Sequence, residues 1–144
     1  MPHEYDELIP GSIYMGAAAD VSEAVSNEGI QTVVDLRHES QRCASDAEGV
    51  NWIKVPLGDN SPTAEAELFD EAINHVIAEY RAGRKVMFHC GLGRGRTGTV
   101  AAGVLRRLGE AQNLVDAERQ AKAIRPQLSI QQVQHEALRQ IFGE

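Results

Sequence analysis

With 144 residues, 42% of them hydrophobic and 24% charged, the chain has enough apolar material for a real core and too little charge imbalance for a disordered segment; one domain over residues 1–144 is expected. A net charge of −7 argues against nucleic-acid or anionic-membrane binding driven by long-range attraction. No apolar run approaches the roughly 20 residues that span a bilayer, and two cysteines behind a start with no basic-then-apolar leader, Met1-Pro2-His3-Glu4-Tyr5-Asp6, point to a reducing cytoplasm.

In chain order, Ser12-Ile13-Tyr14-Met15 reads as a short first strand. Asp20-Val21-Ser22-Glu23 opens a helix with a capping-box pattern, and Gly29 ends it. Thr32-Val33-Val34-Asp35-Leu36 reads as a buried strand, residues 37–50 as a polar connection and residues 51–57 as a third strand. Pro62 and Thr63 begin a long helix in which Leu68, Phe69, Ala72, Ile73, Val76, Ile77 and Tyr80 recur at three and four, giving one apolar face. Residues 84–89 form another strand. Three helices follow: about 97–108, ended by Gly109; about 114–125, started near Asn113; and about 130–142, capped by Ser129 with Gln132 three later. Strands alternate with helices and then helices complete the chain, which predicts a three-layer α/β domain with a short, mixed but centrally and mostly parallel sheet.

The chemistry concentrates in His89-Cys90-Gly91-Leu92-Gly93-Arg94-Gly95-Arg96-Thr97-Gly98, between the strand over 84–89 and the helix that follows. At a helix N-terminus, backbone N–H groups without intrahelical partners point outward and the dipole adds partial positive charge, so an oxyanion is favoured. The glycines at 91, 93 and 95 let successive N–H groups converge into an anion nest. A thiol in that field ionises readily; cysteines so placed have pKa values of roughly 3.5 to 7.5. Arg96 supplies a planar fork that binds two phosphoryl oxygens and follows the charge that spreads over them. The concentration of Arg94, Arg96, Arg106 and Arg107 in and after the loop predicts a locally basic site on an acidic protein.

This string resembles the signature of the cysteine-based protein tyrosine phosphatases: His-Cys, five residues, then Arg followed by Ser or Thr. Within that superfamily the chain is similar over nearly its whole length to the small dual-specificity branch. The resemblance implies a phosphatase-type fold and a phosphomonoester hydrolase that passes through a cysteinyl-phosphate intermediate. Cys90 would be the nucleophile, Arg96 the transition-state clamp and Thr97 a hydroxyl that helps the sulfur leave, with residues Gly91, Leu92, Gly93, Arg94, Gly95 and Arg96 around the phosphate. It also implies a general acid on a separate loop. Asp59 lies in Gly58-Asp59-Asn60-Ser61-Pro62, about ten residues before Phe69, the spacing of the small dual-specificity enzymes; Asp70 and Asp46 are weaker candidates. The segment Ile124-Arg125-Pro126-Gln127-Leu128-Ser129-Ile130-Gln131 resembles the Arg-Pro…Ser-Ile stretch of these enzymes, and Gln131 falls where some relatives carry a water-positioning glutamine. Some relatives protect the oxidised nucleophile by a disulfide to a second thiol, for which Cys43 is the candidate.

Other readings of the same residues fit less well. Gly93-Arg94-Gly95-Arg96-Thr97-Gly98 satisfies the dinucleotide pattern G-x-G-x-x-G, but the acidic residue twenty further on, Glu118, lies in a helical segment with no strand to carry it. No Gly-Lys-Ser/Thr follows the glycines, so an NTPase phosphate loop fits less well still. A silent phosphate-binding module, a sulfur-transfer enzyme, and phosphatases of inositol phosphates or RNA 5′-phosphates are the alternatives to a protein phosphatase. His89 reads as a structural hydrogen-bonding residue and Arg94 is as easily a solvated loop residue as a substrate contact. His3, His38, His75 and His135 show no metal-ligand spacing, and no metal or cofactor is expected. The expected partner is a phosphorylated protein or peptide, with no nucleic acid and no membrane, acted on by a monomer.

Overall fold

The computed structural model describes residues 3–58 and 64–144. Its strands are β1 (Asp6–Ile9), β2 (Ile13–Ala17), β3 (Thr32–Asp35), β4 (Asn51–Lys54) and β5 (Val86–Cys90). Its helices are α1 (Val21–Glu28), α2 (Glu65–Arg81), α3 (Gly95–Arg107), α4 (Leu114–Ile124) and α5 (Gln132–Phe142). The strands form one sheet in the order β1-β2-β5-β3-β4. β1 pairs antiparallel with β2, and all other neighbours are parallel, so the α/β architecture with a centrally parallel sheet holds.

β5 is central because its sequence suits both faces of the sheet. Every residue from Val86 to Cys90 is buried, as expected of a strand covered on both sides. Side chains alternate with a period of two. Val86, Phe88 and Cys90 enter a core with Leu68, Phe69 and Ile73 of α2, Val100 and Val104 of α3 and Leu138 of α5. Met87 enters a smaller core on the other face with Tyr5, Tyr14, Val33 and residues Val21, Ala24 and Val25 of α1. Helix α3 lies so close to α2 that a Cβ built at Gly103 would stand 2.2 Å from Ile73 Cδ1.

The sheet register positions the site. Ala17 pairs with Cys90 and Asp35 with His89, so the turn after β2, the connection after β3 and the loop after β5 leave the same edge together. That is the carboxyl edge, where parallel α/β sheets collect their ligands.

Several local expectations shift. β1 is an added edge strand: of Asp6-Glu7-Leu8-Ile9 only Leu8 is fully buried, leaving too little alternation to reveal it in sequence. Asp20 does not cap α1. Its Oδ2 accepts instead from the Ala17 backbone N–H at 2.8 Å, closing the short 3-10 turn Ala18–Asp20. α3 starts two residues before position 97, inside the glycine-rich loop. α5 starts with Gln131, not Ser129, at its N-cap, because the Ser129 N–H is drawn to the Arg94 carbonyl at 3.2 Å and Gln134 Oε1 takes the Gln131 N–H at 2.9 Å. Asn113 caps α4 as expected, accepting from the Asp116 N–H at 2.8 Å.

Arg106 and Arg107 do not contribute to a basic site. They occupy the last turn of α3, about 1.5 Å per residue down the helix from the loop, where positive charge complements the dipole. Arg106 pairs with Glu144 at 2.7 Å and Arg107 with Asp70 at 2.8 Å, which also commits Asp70 to a structural partner.

Candidate active site

β5 delivers Cys90 to the sheet edge and α3 begins at Gly95, so the intervening loop must wrap around the helix N-terminus. Cys90 is 3% exposed. Its Sγ accepts a hydrogen bond from Thr97 Oγ1 at 3.0 Å. Burial pushes the thiol pKa up, but the Thr97 hydroxyl, the N–H groups of Thr97 and Arg94 and the charge of Arg96 outweigh it and bring the thiol below its ordinary value.

The loop's carbonyls are drawn away from the sulfur. His89 O accepts from the Leu36 N–H at 2.9 Å, Gly91 O from the Ala18 N–H at 3.1 Å and Arg94 O from the N–H groups of Gly98 at 3.1 Å and Ser129 at 3.2 Å. Gly93 O accepts from Arg125 Nε at 2.9 Å. In a trans peptide the N–H points opposite to its carbonyl, and no peptide bond here is cis. Anchoring the carbonyls outside therefore turns the following N–H groups the other way, which is how a run of glycines becomes an anion nest.

Arg96 is held at its back edge. Nη1 donates to Glu39 Oε1 at 3.0 Å and to the Leu57 carbonyl at 3.0 Å, and Nη2 to Glu39 Oε2 at 3.1 Å. The Arg96 hydrogen bonds hold the Glu39 carboxyl down to about 2. A paired guanidinium edge leaves the remaining donors for a substrate oxyanion. Glu39 lies in the polar connection after β3, where no periodic pattern singled it out. The signal available in sequence was its place just past the carboxyl end of a buried strand.

His89 is fully buried, and its Nδ1 lies 2.9 Å from the Cys90 carbonyl. Burial keeps the ring below its ordinary pKa and hence neutral, so Nδ1 carries the proton that the carbonyl accepts. Nε2 has no hydrogen-bond partner among the described residues. This matches a structural hydrogen-bonding residue. Behind it, the buried Asp35 accepts from Arg37 Nε at 2.9 Å and Nη2 at 3.0 Å and from Trp52 Nε1 at 3.1 Å.

Cys90, Gly91, Leu92, Arg94, Gly95 and Arg96 open into a cleft of about 390 Å³ that Glu39, Gln131 and Gln134 also line. Leu92 is 70% exposed at its rim. Gln131 is exposed, whereas Gln134 is buried and packs 3.1 Å from where a Gly95 Cβ would be. Sequence reasoning missed Gln134, which sits one helical turn past the glutamine it singled out. Asp59 lies outside the described residues. The residue before it, Gly58, lines a recess with His38, Glu39 and Arg96. Gly58 has φ 141° and no room for a Cβ, which would meet His38 Nδ1 at 2.1 Å. The chain thus reaches position 58 beside the arginine. Asp46 is exposed in the connection after β3. The two cysteines are free: Cys90 belongs to the larger core, and Cys43 packs against the smaller one on the other face of the sheet.

A buried cysteine of lowered pKa in a glycine-rich loop at a helix N-terminus, with a clamped arginine beside it, on a centrally parallel sheet, defines a cysteine-based phosphatase of the dual-specificity type. Residues 11–110 match the family described as "Polymorphic toxin system, DSP-PTPase phosphatase", and the chain belongs to that family. No curated protein matches it. Among solved structures it is similar to human DUSP28, at 20% identity over 98% of this chain and 94% of that one with a TM-score of 0.81. Tk-PTP in its active form is similar at 22% identity, covering 100% and 99% of the two chains with a TM-score of 0.80. DUSP15 is similar at 17% identity, covering 96% and 87% with a TM-score of 0.82. At these identities the structures speak to the fold.

Proposed function

We propose that the protein hydrolyses phosphomonoesters on protein side chains, phosphotyrosine and also phosphoserine or phosphothreonine, through a cysteinyl-phosphate intermediate. The observation that carries this reading is the buried Cys90 sulfur accepting from Thr97 Oγ1 at 3.0 Å, with its thiol pKa lowered and Arg96 among the causes.

The Cys90 thiolate attacks phosphorus in line, forming an S–P bond as the P–O bond to the leaving group breaks. Asp59 protonates the departing oxygen. A water then attacks phosphorus, Asp59 takes its proton, and the S–P bond breaks to return the thiolate, whose charge the Thr97 hydroxyl stabilises. Arg96 and the loop N–H groups bind the equatorial oxygens through both steps. This chemistry requires a reduced Cys90, which favours action in a reducing compartment such as a cytoplasm. The net charge of −7 favours protein substrates over polyanionic ones.

The test is release of inorganic phosphate from an aryl phosphate, its inhibition by vanadate, and its loss in Cys90→Ser. A panel of phosphopeptides, inositol phosphates and RNA 5′-phosphates presented to the Cys90→Ser protein identifies the substrate class. Preferential capture of an inositol phosphate or RNA would replace the protein-phosphatase reading. Undiminished phosphate release by Cys90→Ser would overturn the mechanism.

A further inference from the structure

Arg125 is 2% exposed, and a charged group so buried must have its donors paired. Nε donates to the Gly93 carbonyl at 2.9 Å. Nη1 donates to the Glu4 carbonyl at 2.6 Å and to Asp6 Oδ2 at 2.9 Å. The guanidinium therefore bridges the phosphate loop and the segment that leads into β1. The fit is tight, since a Cβ at Gly93 would stand 2.6 Å from Arg125 Nη2 and 2.7 Å from the Gly16 carbonyl oxygen.

Of the loop carbonyls at positions 89, 91, 93 and 94, three accept from backbone N–H groups, which no substitution removes. Gly93 O takes a side-chain donor. The Gly93 carbonyl and the Arg94 N–H belong to one trans peptide and point in opposite directions. The Arg94 N–H is among the groups that lower the Cys90 thiol pKa. Pulling the carbonyl end outward thus aims the N–H end at the nucleophile and at the oxygens of a bound phosphoryl group.

Building on the phosphatase reading above, we infer that Arg125 is a positioning residue that fixes the Gly93–Arg94 peptide with its N–H toward Cys90. Without it, the peptide is free to rotate and the nest loses a fixed donor. Asp6 and Glu4 steady the guanidinium without touching the loop, so the bond to Gly93 is what matters.

The experiment compares Arg125→Met, which keeps length but no donor, Arg125→Lys, and Asp6→Ala. The readouts are the pH dependence of Cys90 alkylation by iodoacetamide, vanadate affinity, and kcat and KM on an aryl phosphate, with thermal unfolding to establish folding. Losing one oxyanion donor typically lowers kcat by about 100- to 1,000-fold; a loosened donor should lower kcat/KM in Arg125→Met by at least about tenfold, mostly in kcat. The alkylation profile should move to higher pH and vanadate should bind about tenfold more weakly, with Arg125→Lys intermediate. Asp6→Ala, which keeps the donor to Gly93, should lose clearly less than Arg125→Met. An unmoved alkylation profile in folded Arg125→Met, or in Arg125→Lys if the former does not fold, would overturn the inference. So would an equal loss in Asp6→Ala, which would mark a general effect on stability. Alkylation and vanadate binding need no turnover, so a parent protein that binds vanadate yet releases no phosphate would sink the phosphatase reading while leaving that of Arg125 intact.

Discussion

Replacing Thr97 by valine keeps the side-chain shape and removes one proton donor. Thr97 is fully buried, and its Oγ1 lies 3.0 Å from Cys90 Sγ but 3.4 Å from the Gly16 carbonyl, so its hydroxyl proton serves the sulfur. A hydrogen bond to a charged partner contributes about 1.5 to 3 kcal/mol, which is about a 10- to 150-fold change in an equilibrium constant. Thr97→Val should therefore weaken ionisation of Cys90 by roughly that factor, while the Thr97 and Arg94 N–H groups and Arg96 keep the remainder. The assay is the pH profile of Cys90 alkylation, read beside pre-steady-state hydrolysis of an aryl phosphate. In the proposed mechanism the same hydroxyl stabilises the sulfur as it leaves, so the variant should show a burst of phenolate followed by a slow steady state. An alkylation profile identical to the parent's would mean that the short Oγ1–Sγ contact does not stabilise the anion.

Glu39→Gln should lower kcat by about 5- to 30-fold, the effect of about 1 to 2 kcal/mol of lost transition-state stabilisation, because Arg96 loses its anchoring carboxylate. The Glu39 carboxyl titrates at about 2 in the folded protein against 4.5 ordinarily, so its pairing is complete above pH 4.5 and fades as pH falls through 2; the loss should be uniform across an assay from pH 5 to 8. Glu39 is 48% exposed, so solvent screens the pair and its unfolding midpoint should move little. Asp59→Asn should slow turnover by about two to four decades and flatten the alkaline limb of the rate profile, while an aryl phosphate with a good leaving group should be affected less in the first step. Gly103→Ala gains up to about 1 kcal/mol of helix propensity but places a Cβ 2.2 Å from Ile73 Cδ1; overpacking of about 1 to 3 kcal/mol should outweigh the gain. Urea denaturation should show net destabilisation, relieved by adding Ile73→Val.

Sequence alone carried the elements whose physics is local. The apolar run that leads into Cys90, the three-and-four repeat of α2, the Asn113 cap and the glycine run all act within a turn or a strand, and each was readable from neighbours in the chain. So were Cys90, Arg96 and Thr97, because the loop that assembles them spans a few residues. Where a cap had competition, local reasoning failed. Asp20 bonds back to Ala17, and Ser129 is claimed by the Arg94 carbonyl, a partner distant in sequence.

What the tertiary structure decided is which distant residues serve that loop. Glu39 reaches Arg96 because β3 and β5 are neighbours in the sheet, and Arg125 reaches Gly93 because α4 ends beside the loop and β1. Arg106 and Arg107, close to the loop in sequence, are carried away from it by the rise of α3. Local periodicity records which side of an element is buried, not which element lies against it. The chain's own order therefore specified the candidate cysteine and its loop, while the packing of strands and helices selected the charges that hold the loop in shape.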